Sequence, residues 1–420
     1  MEVREGDFLN FRNATSRHNK ELVESLQLLT ELISIDSQTK NRAGVNRAQD
    51  FLEKILKNIG MNVNRIPHSD QLSGDLLVAD YGGHDLPVIN LICHVDTVLP
   101  PDKSQPFHIN YPSNHITGSG VADDKAGVVI AIQALKQLIQ NDSFTHFKVR
   151  LISSPSEEAG SIGWRSYFSD FGRNAVANLG LEPSMGNGDI IVSRNGNRWY
   201  QIKVKGKSSH AGRFGEKSIN ASHELSRMIY EFHKLNNYDK KIKLNVGSFS
   251  GGAGHYNITC GEAEAKLDVR YPCFSSRDQL HLSILDILKN PQCPCYLTGD
   301  FSQIEWFLED DCPPLPFQNM NMNLVDQYLH RTQLIEERKI AGVHSGGAAD
   351  INYFTTPTNF NLDGLGAVGA GLHTRSEYVE ISSLLTRRMA LNSLIKSILD
   401  DLSHHNSQTH EEFYITGDTL

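Results

Sequence analysis

The 420-residue chain has no apolar run approaching 18 residues, so no membrane-spanning helix is expected. It has no basic excess either: 40 Lys and Arg stand against 49 Asp and Glu, a formal net charge of −9. Phosphate backbones are bound by clustered Lys and Arg, so the balance argues against a nucleic-acid partner. The first twenty residues, MEVREGDFLNFRNATSRHNK, lack the apolar stretch of a secretory signal. Cysteine is sparse. Cys93, Cys260, Cys273, Cys293, Cys295 and Cys312 show no zinc-knuckle spacing and read as free thiols of a cytoplasmic protein. Cys293 and Cys295 accompany Pro291 and Pro294, so a turn is expected there. What is present, 39 % hydrophobic and 21 % charged residues, is a globular composition with length for about two or three domains.

The first 190 residues alternate helix and strand signals. Residues 21–34 are amphipathic, and Ala48, Leu52, Ile55, Leu56 and Ile59 share one helical face within 44–59. Apolar runs at 75–79, 88–93, 147–154 and 177–183 read as strands, with a helix over 124–140. This alternation predicts an α/β domain with a largely parallel sheet flanked by helices, in which ligands bind beyond the carboxyl ends of the strands. Near residue 196 the pattern changes. Strands at 198–206, 243–250, 263–271 and about 295–308, with helices at about 218–234 and 276–289, follow the split βαβ or ferredoxin-like order. Helical patterns return at 322–339 and 380–401. The simplest parse is a domain of residues 197–310 inserted into one made of 1–196 and 311–420. The tail, 404–420, is polar, and its histidines read as solvated.

Five segments place metal-type ligands at predicted strand ends. CHVDTV (93–98) offers His94 and Asp96, two apart and on one side of a strand. Asp96 could orient a neighbouring ligand, or His94 itself through the local turn, since a metal-bound imidazole usually donates its other N–H to an oxygen. GSGVADDKAGV (118–128) brings Asp123 and Asp124 to a helix start; capping needs one carboxylate, not two and Lys125. LISSPSEEAGS (151–161) adds Glu157 and Glu158, LGLEPS (179–184) adds Glu182, and GAGLHTRSEYVEI (369–381) adds His373 after glycines. Each segment alone has a bland reading as a solvated turn or cap. Together they supply nitrogen and oxygen donors without thiolate, a set that suits a hydrolytic zinc pair better than a structural zinc. Adjacent glutamates can divide the labour of holding metal and moving protons. Gly364, Gly366 and Gly369 match a dinucleotide fingerprint, but no βαβ unit follows, which argues against a nucleotide-dependent oxidoreductase.

In order and spacing these segments resemble the dinuclear-zinc hydrolase family that contains carboxypeptidase G, aminoacylase, acetylornithine deacetylase and succinyl-diaminopimelate desuccinylase. The resemblance covers residues 20–402. It implies two divalent ions per chain, zinc first and cobalt or manganese as alternatives. Asp123 would bridge them; Glu158 and His373 would complete one site, and His94 and Glu182 the other. It further implies Glu157 as general base and Asp96 as the residue that positions His94. VKGKSSHAGRFGEKSINA (204–221) resembles the family's lid segment, which places His210 near a partner subunit's oxyanion and makes 197–310 a lid and dimerisation domain. HYNIT, LDVRY and HSGGAAD match substrate-contacting positions at Asn257, Arg270, Gly346 and Gly347. Two letters depart: Ser156 stands where relatives often have aspartate, and Cys93 where a smaller residue is common.

The implied reaction is hydrolysis of an amide or peptide bond. The Asp-Asp-Lys version at 123–125 looks like the peptidase members, and Glu182 rather than aspartate looks like carboxypeptidases and deacylases. Their overlap is a carboxypeptidase G-like exopeptidase that releases a C-terminal amino acid from a small peptide or acylated substrate. The alternatives are an N-acyl-amino-acid deacylase and a non-catalytic metal-binding relative; the presence of Glu157 speaks against the latter, because a pure binder needs no base.

Overall fold

In the computed structural model the described residues are 16–415 apart from 70–72, 145, 318–321 and 357, with side chains from 20 to 401. They form two units. The first comprises the chain up to Val192, Phe317–Val343 and the chain from Ala349; the second comprises Ser193–Pro316 and His344–Ala348.

The first unit opens with helices α1 (Ser16–Ser34) and α2 (Arg42–Asn58). The Asn41 side chain caps α2 by accepting from the Gly44 N–H, and α2 buries Val45, Ala48, Leu52 and Leu56. Gly44 is dictated by space, since a Cβ there would lie 1.6 Å from the Asp36 carbonyl oxygen. Strands β1 (Asn62–Ile66), β2 (Leu76–Tyr81) and β3 (Val88–His94) follow, then a hairpin of β4 (Phe107–Asn110) and β5 (His115–Gly118). Helix α3 (Gly127–Gln140), β6 (Lys148–Ser154), α4 (Arg165–Arg173), β7 (Ala175–Gly180) and β8 (Ile190–Arg194) complete the first stretch.

The second unit holds β9 (Gly196–Lys205), α5 (Ala211–Phe214), α6 (Ala221–Lys234), β10 (Lys243–Gly251), β11 (Glu262–Tyr271), α7 (Phe274–Lys289) and β12 (Gln303–Cys312). Afterwards come α8 (Met322–Glu336), β13 (Gly342–Ser345), β14 (Phe360–Leu362), β15 (Gly369–Ala370), β16 (Tyr378–Glu380) and α9 (Ile381–Ile415).

The six-stranded sheet of the first unit has the order β1-β2-β6-β3-β7-β14. β6, β3, β7 and β14 run parallel, whereas β1 and β2 add an antiparallel edge. β3 is buried at every residue, which is why 88–93 reads as an apolar run interrupted only by Asn90 rather than as an alternating one. Each such buried Leu or Ile contributes roughly 1.5–3 kcal/mol. Asn90, Asn178 and Asn361 sit abreast on β3, β7 and β14. Asn90 Nδ2 donates to Asn178 Oδ1 at 2.8 Å, and Asn178 Nδ2 to Asn361 Oδ1 at 2.9 Å. The buried amides are linked side to side, which pins the register, although Asn90 Oδ1 itself has no partner among the described residues.

The four-stranded sheet of the second unit is antiparallel, in the order β10-β11-β9-β12. With α6 after β9 and α7 after β11, this is the ferredoxin-like arrangement. Tyr200, Ile202, Val204, Ala265, Leu267 and Val269 alternate inward onto a core completed by Leu225, Met228, Phe232 and Ile284. The two ends of the long insertion are clasped: Arg194 and Leu315 exchange backbone hydrogen bonds of 2.9 and 3.1 Å.

Three expectations are corrected. The last strand of the insertion is Gln303–Cys312, not 295–308; Tyr296 is 90 % exposed, whereas Ile304 and Trp306 pack on the core and Arg198 pairs with Asp311 at 2.8 Å. The final helix runs to Ile415 rather than 401, and the solvated histidines expected in the tail lie outside the described side chains. The helix expected over 124–140 starts later, and neither Asp123 nor Asp124 has helical backbone. They lie in the tight turn Val121–Ala126 with non-helical backbone, and α3 begins at Gly127, where a Cβ would meet Asp124 Oδ1 at 2.0 Å and the Leu181 carbonyl oxygen at 2.2 Å.

Candidate metal centre

Seven of the expected residues converge at the carboxyl ends of β3, β6 and β7. His94 is the last residue of β3 and is 1 % exposed. Its Nε2 lies 2.9 Å from Asp123 Oδ1 and 3.7 Å from Glu182 Oε1. His373 comes from the turn after β15, in the left-handed conformation (φ 62°). Its Nε2 lies 3.1 Å from Asp123 Oδ2 and 3.2 Å from Glu158 Oε2. The two oxygens of Asp123 therefore face different histidines, and each histidine has its own glutamate. One donor atom each from His94, Glu157 and Glu182 lie within 4.8 Å of one another, as do those of His94, Asp123 and Glu158.

Asp96 is fully buried but lies beyond the strand, so the same-side argument from strand periodicity does not apply. The local turn brings it to His94, whose Nδ1 is 3.1 Å from the Asp96 carbonyl oxygen and 3.3 Å from Oδ1. Its carboxylate also grips the glutamate turn: Oδ1 accepts from the Glu157 N–H at 3.0 Å, and Oδ2 from the Glu158 N–H at 3.2 Å and the Thr39 hydroxyl at 2.8 Å. Asp124 Oδ2 accepts from the His94 N–H at 3.3 Å. The departing letters leave this set intact. Ser156 is buried with its carbonyl accepting from the Ala159 and Ser161 N–H groups, and the Cys93 thiol turns to the Ile152 carbonyl.

The electrostatics show a surplus of negative charge. Burial, then the Glu182 charge, pushes the Glu157 carboxyl well above its usual range, and burial raises Glu158. Asp123 is buried yet held low by hydrogen bonds from His373 and His94. Hydrogen bonds to Asp123 and Glu158 in turn raise His373 to about 10. Carboxylates that crowd together and raise one another are stabilised by a divalent cation, and the donors are oxygen and imidazole only. The residues thus fit a pair of hard or borderline divalent ions.

Three residues of this region escaped the sequence reading. Asp350 is buried and raised to about 6 by desolvation, against hydrogen bonds with Ser161 and Ser154. Thr39 holds Asp96. Glu377 accepts three backbone N–H groups of the 120–123 turn. Only Glu377 carried a signal, its place four residues after His373.

The remaining expected residues lie in the second unit. His210 precedes α5 and pairs in antiparallel fashion with Ile258, and the Ala211 N–H donates to the Asn257 carbonyl at 2.9 Å. His210 and Asn257 therefore share one two-stranded ribbon. Arg270 is occupied by Asp268, Nε to Oδ2 at 2.9 Å. Gly346 and Gly347 form an exposed turn in which the Gly347 N–H donates to Ser345 Oγ at 3.2 Å.

Comparison with known proteins agrees with this geometry. A family model described as a peptidase dimerisation domain matches residues 192–292, and one described as peptidase family M28 matches 77–237. Carboxypeptidase G2 of Pseudomonas sp. (strain RS-16) is 26 % identical over 383 residues, covering 89 % of each chain. Succinyl-diaminopimelate desuccinylase of Psychrobacter sp. (strain PRwf-1) is 25 % identical over 383 residues, 86 % of this chain and 92 % of that one. The solved structure of aminopeptidase PepT from Bacillus cereus superposes with a TM-score of 0.74 at 20 % identity, covering 90 % of this chain and 99 % of the other. A histidine–aspartate–glutamate cluster on this sheet, an inserted ferredoxin-like unit and near full-length relatives lead to one conclusion: the chain is a metal-dependent amide or peptide hydrolase, similar to carboxypeptidase G2 and succinyl-diaminopimelate desuccinylase.

Proposed function

We propose that the chain is a carboxypeptidase G-like exopeptidase that releases a C-terminal amino acid from a small peptide or N-acylated substrate. The observation that carries the site assignment is Asp123, whose two oxygens meet two separate histidine–glutamate pairs. Asp123 would hold both ions, His373 and Glu158 one of them, and His94 and Glu182 the other. Zinc suits this set, and cobalt or manganese could replace it. When bound, the ions supply Lewis-acid polarisation of the scissile carbonyl and a water acidified towards neutral pH.

Glu157 is the carboxylate left over from the two sets. It takes a proton from water and returns it to the leaving amine, a role that suits a carboxyl raised by burial beside Glu182. Asp96 fixes both the His94 ring and the backbone of Glu157 and Glu158, so ligand and base keep one spacing. His210 and Asn257, on their shared ribbon, would meet the substrate's carbonyl region. Gly346 and Gly347 would meet its carboxylate, and Arg270 would do so while sharing Asp268.

We further read the protein as a cytoplasmic homodimer joined through the inserted unit, with His210 serving the partner's site. The peptidase dimerisation match and the open edges of the ferredoxin-like sheet support this. Among the described residues no helix is long and apolar enough to cross a membrane.

A liberated-amine assay across dipeptides, acyl-glutamates, N-acetyl and N-succinyl amino acids, with zinc, cobalt and manganese, tests the reading alongside elemental analysis. About two ions per chain and turnover confined to C-terminal release support it. Preference for N-acyl amino acids would make the enzyme a deacylase, and full activity with one ion would remove the bridging role of Asp123.

A further inference from the structure

We infer that Glu377 is a positioning residue for the metal centre, acting through the backbone of Asp123. The inference rests on the reading of Asp123 as the shared ligand. Glu377 is 3 % exposed, so its carboxylate must be satisfied from within. It finds its partners in the turn that presents Asp123. Oε1 accepts from the Ala122 N–H at 2.8 Å and the Asp123 N–H at 3.0 Å, and Oε2 accepts from the Gly120 N–H at 3.0 Å. The Glu377 carbonyl also accepts from the Gly118 N–H at 3.3 Å.

Backbone N–H groups that converge in a tight turn form an anion-binding concavity. Here the anion is a side chain from more than 250 residues further along the chain. The turn needs such an anchor. Asp123 (φ −112°, ψ 89°) and Asp124 (φ −128°, ψ 24°) leave helical geometry inside an otherwise helical turn. Gly120 adopts the left-handed conformation (φ 66°), with Thr97 Cγ2 2.2 Å from where a Cβ would stand. With its N–H fixed, Asp123 can present one oxygen to each histidine.

Glu377 also links two ligands. His373 lies four residues before it, in a turn closed by the Thr374 N–H to the Gly371 carbonyl and the Glu377 N–H to the Thr374 carbonyl. One short segment thus supplies the ligand His373 and the clamp on Asp123, and the 3.1 Å approach of these two ligands follows from the clamp. A carboxylate is required because three donors must be met by two acceptor oxygens. In Glu377→Gln the amide oxygen can still serve Ala122 and Asp123, but its NH2 then opposes the Gly120 N–H.

The test compares Glu377→Gln, Glu377→Ala and Asp123→Asn with the parent protein. Zinc affinity is measured by competition with a chromophoric chelator, ions per chain after dialysis, and kcat and KM across free zinc concentration. Unfolding midpoints of the zinc-free proteins are recorded as well. We expect Glu377→Gln to fold, to bind zinc about 10–100-fold more weakly and to regain most of its kcat at high zinc with KM unchanged. Glu377→Ala should do the same more severely. Parental zinc affinity in a folded Glu377→Gln protein overturns the inference. So does an affinity loss no larger than its unfolded fraction explains, whether or not Glu377→Ala folds. If Asp123→Asn leaves zinc binding unchanged, the shared-ligand reading fails first. If Asp123→Asn abolishes it and Glu377→Gln does not weaken it, only the present inference fails.

Discussion

Asp96→Asn replaces one oxygen of a carboxylate that serves four donors, and the structure decides which contact is lost. Placing the amide nitrogen at the Oδ1 position sets it against the Glu157 N–H and beside His94 Nδ1, which lie 3.0 and 3.3 Å away. Placing it at Oδ2 sets it against the Glu158 N–H at 3.2 Å, while the Thr39 hydroxyl at 2.8 Å can rotate and accept from it. The second arrangement loses less, and it leaves one backbone N–H unpaired. An unpaired donor in a buried setting costs about 1–3 kcal/mol. For a unit of this size that lowers the unfolding midpoint by about 2–4 °C per kcal/mol. Because the unpaired group belongs to Glu158, a proposed ligand, turnover at saturating metal should also fall, by about 10–100-fold. Calorimetry of the metal-free protein reads the first effect and steady-state kinetics the second. A variant with parental midpoint and parental kcat would refute the view that Asp96 anchors the glutamate turn.

Glu157→Gln should keep about two ions per chain and lose about 100–10,000-fold in kcat, and near-normal turnover would sink its role as base. His373 in the cation-free protein is raised to about 10, so at pH 7 it carries a proton that metal must displace. Apparent zinc affinity should therefore rise with pH from 7 towards 10, by at most about tenfold per unit, with proton release in weak buffer; a flat profile speaks against His373 as a ligand. Asp80 is half-buried and held low: burial opposes its ionisation, but Arg150 and Lys148 prevail. A depressed folded pKa gives stability that is fully present above the unfolded value of about 3.9 and is lost as pH falls through the lower folded value, so Asp80→Asn should cost about 1–3 kcal/mol at pH 7 and progressively less as pH drops below about 3.9 in denaturant titrations. Mixing His210→Ala with Glu157→Gln after dissociation and reassociation should restore activity, because one site of a mixed dimer is intact; no recovery, or a monomer by sedimentation, would contradict a trans role.

The parts of the fold legible in the sequence were those where burial is one-sided or complete. β3 and β6 are buried almost throughout, and β9 and β11 alternate cleanly against α6 and α7. Strands of two to four residues, such as β4, β5, β14 and β15, are too short to show a period, and they passed unseen. β12 was displaced because Tyr296 and Leu297 are apolar letters on an exposed turn, while the true strand ends in the acidic Glu309, Asp310 and Asp311. At the candidate metal centre the convergence of these side chains was legible because glycine turns and paired carboxylates have few other uses at strand ends. Asp350 was not, since a lone acid among Gly, Ala and Asn letters looks like any solvated residue, and Glu377 showed only its spacing from His373. Burial, which gives each its role, is a tertiary property.

The clasp between Arg194 and Leu315 bears on how the molecule is made. Glu182 and His373 belong to the proposed ligand set, and β7 pairs with β14, yet the whole insertion separates them along the chain. Contacts so distant in sequence form slowly when the intervening chain is a free coil. An insertion that folds first draws its two ends together through the Arg194–Leu315 pair. To the surrounding sheet it then behaves as a short turn, and the loop-closure entropy of the whole segment is met within the insertion itself. During synthesis the order is favourable as well, because the insertion leaves the ribosome before β14, His373 and α9. Until those last residues arrive, the nascent chain holds His94, Asp123 and the glutamates without their second histidine. On the proposed ligand set, the complete pair of metal sites is thus a late product of folding, available only once nearly all of the chain is in place.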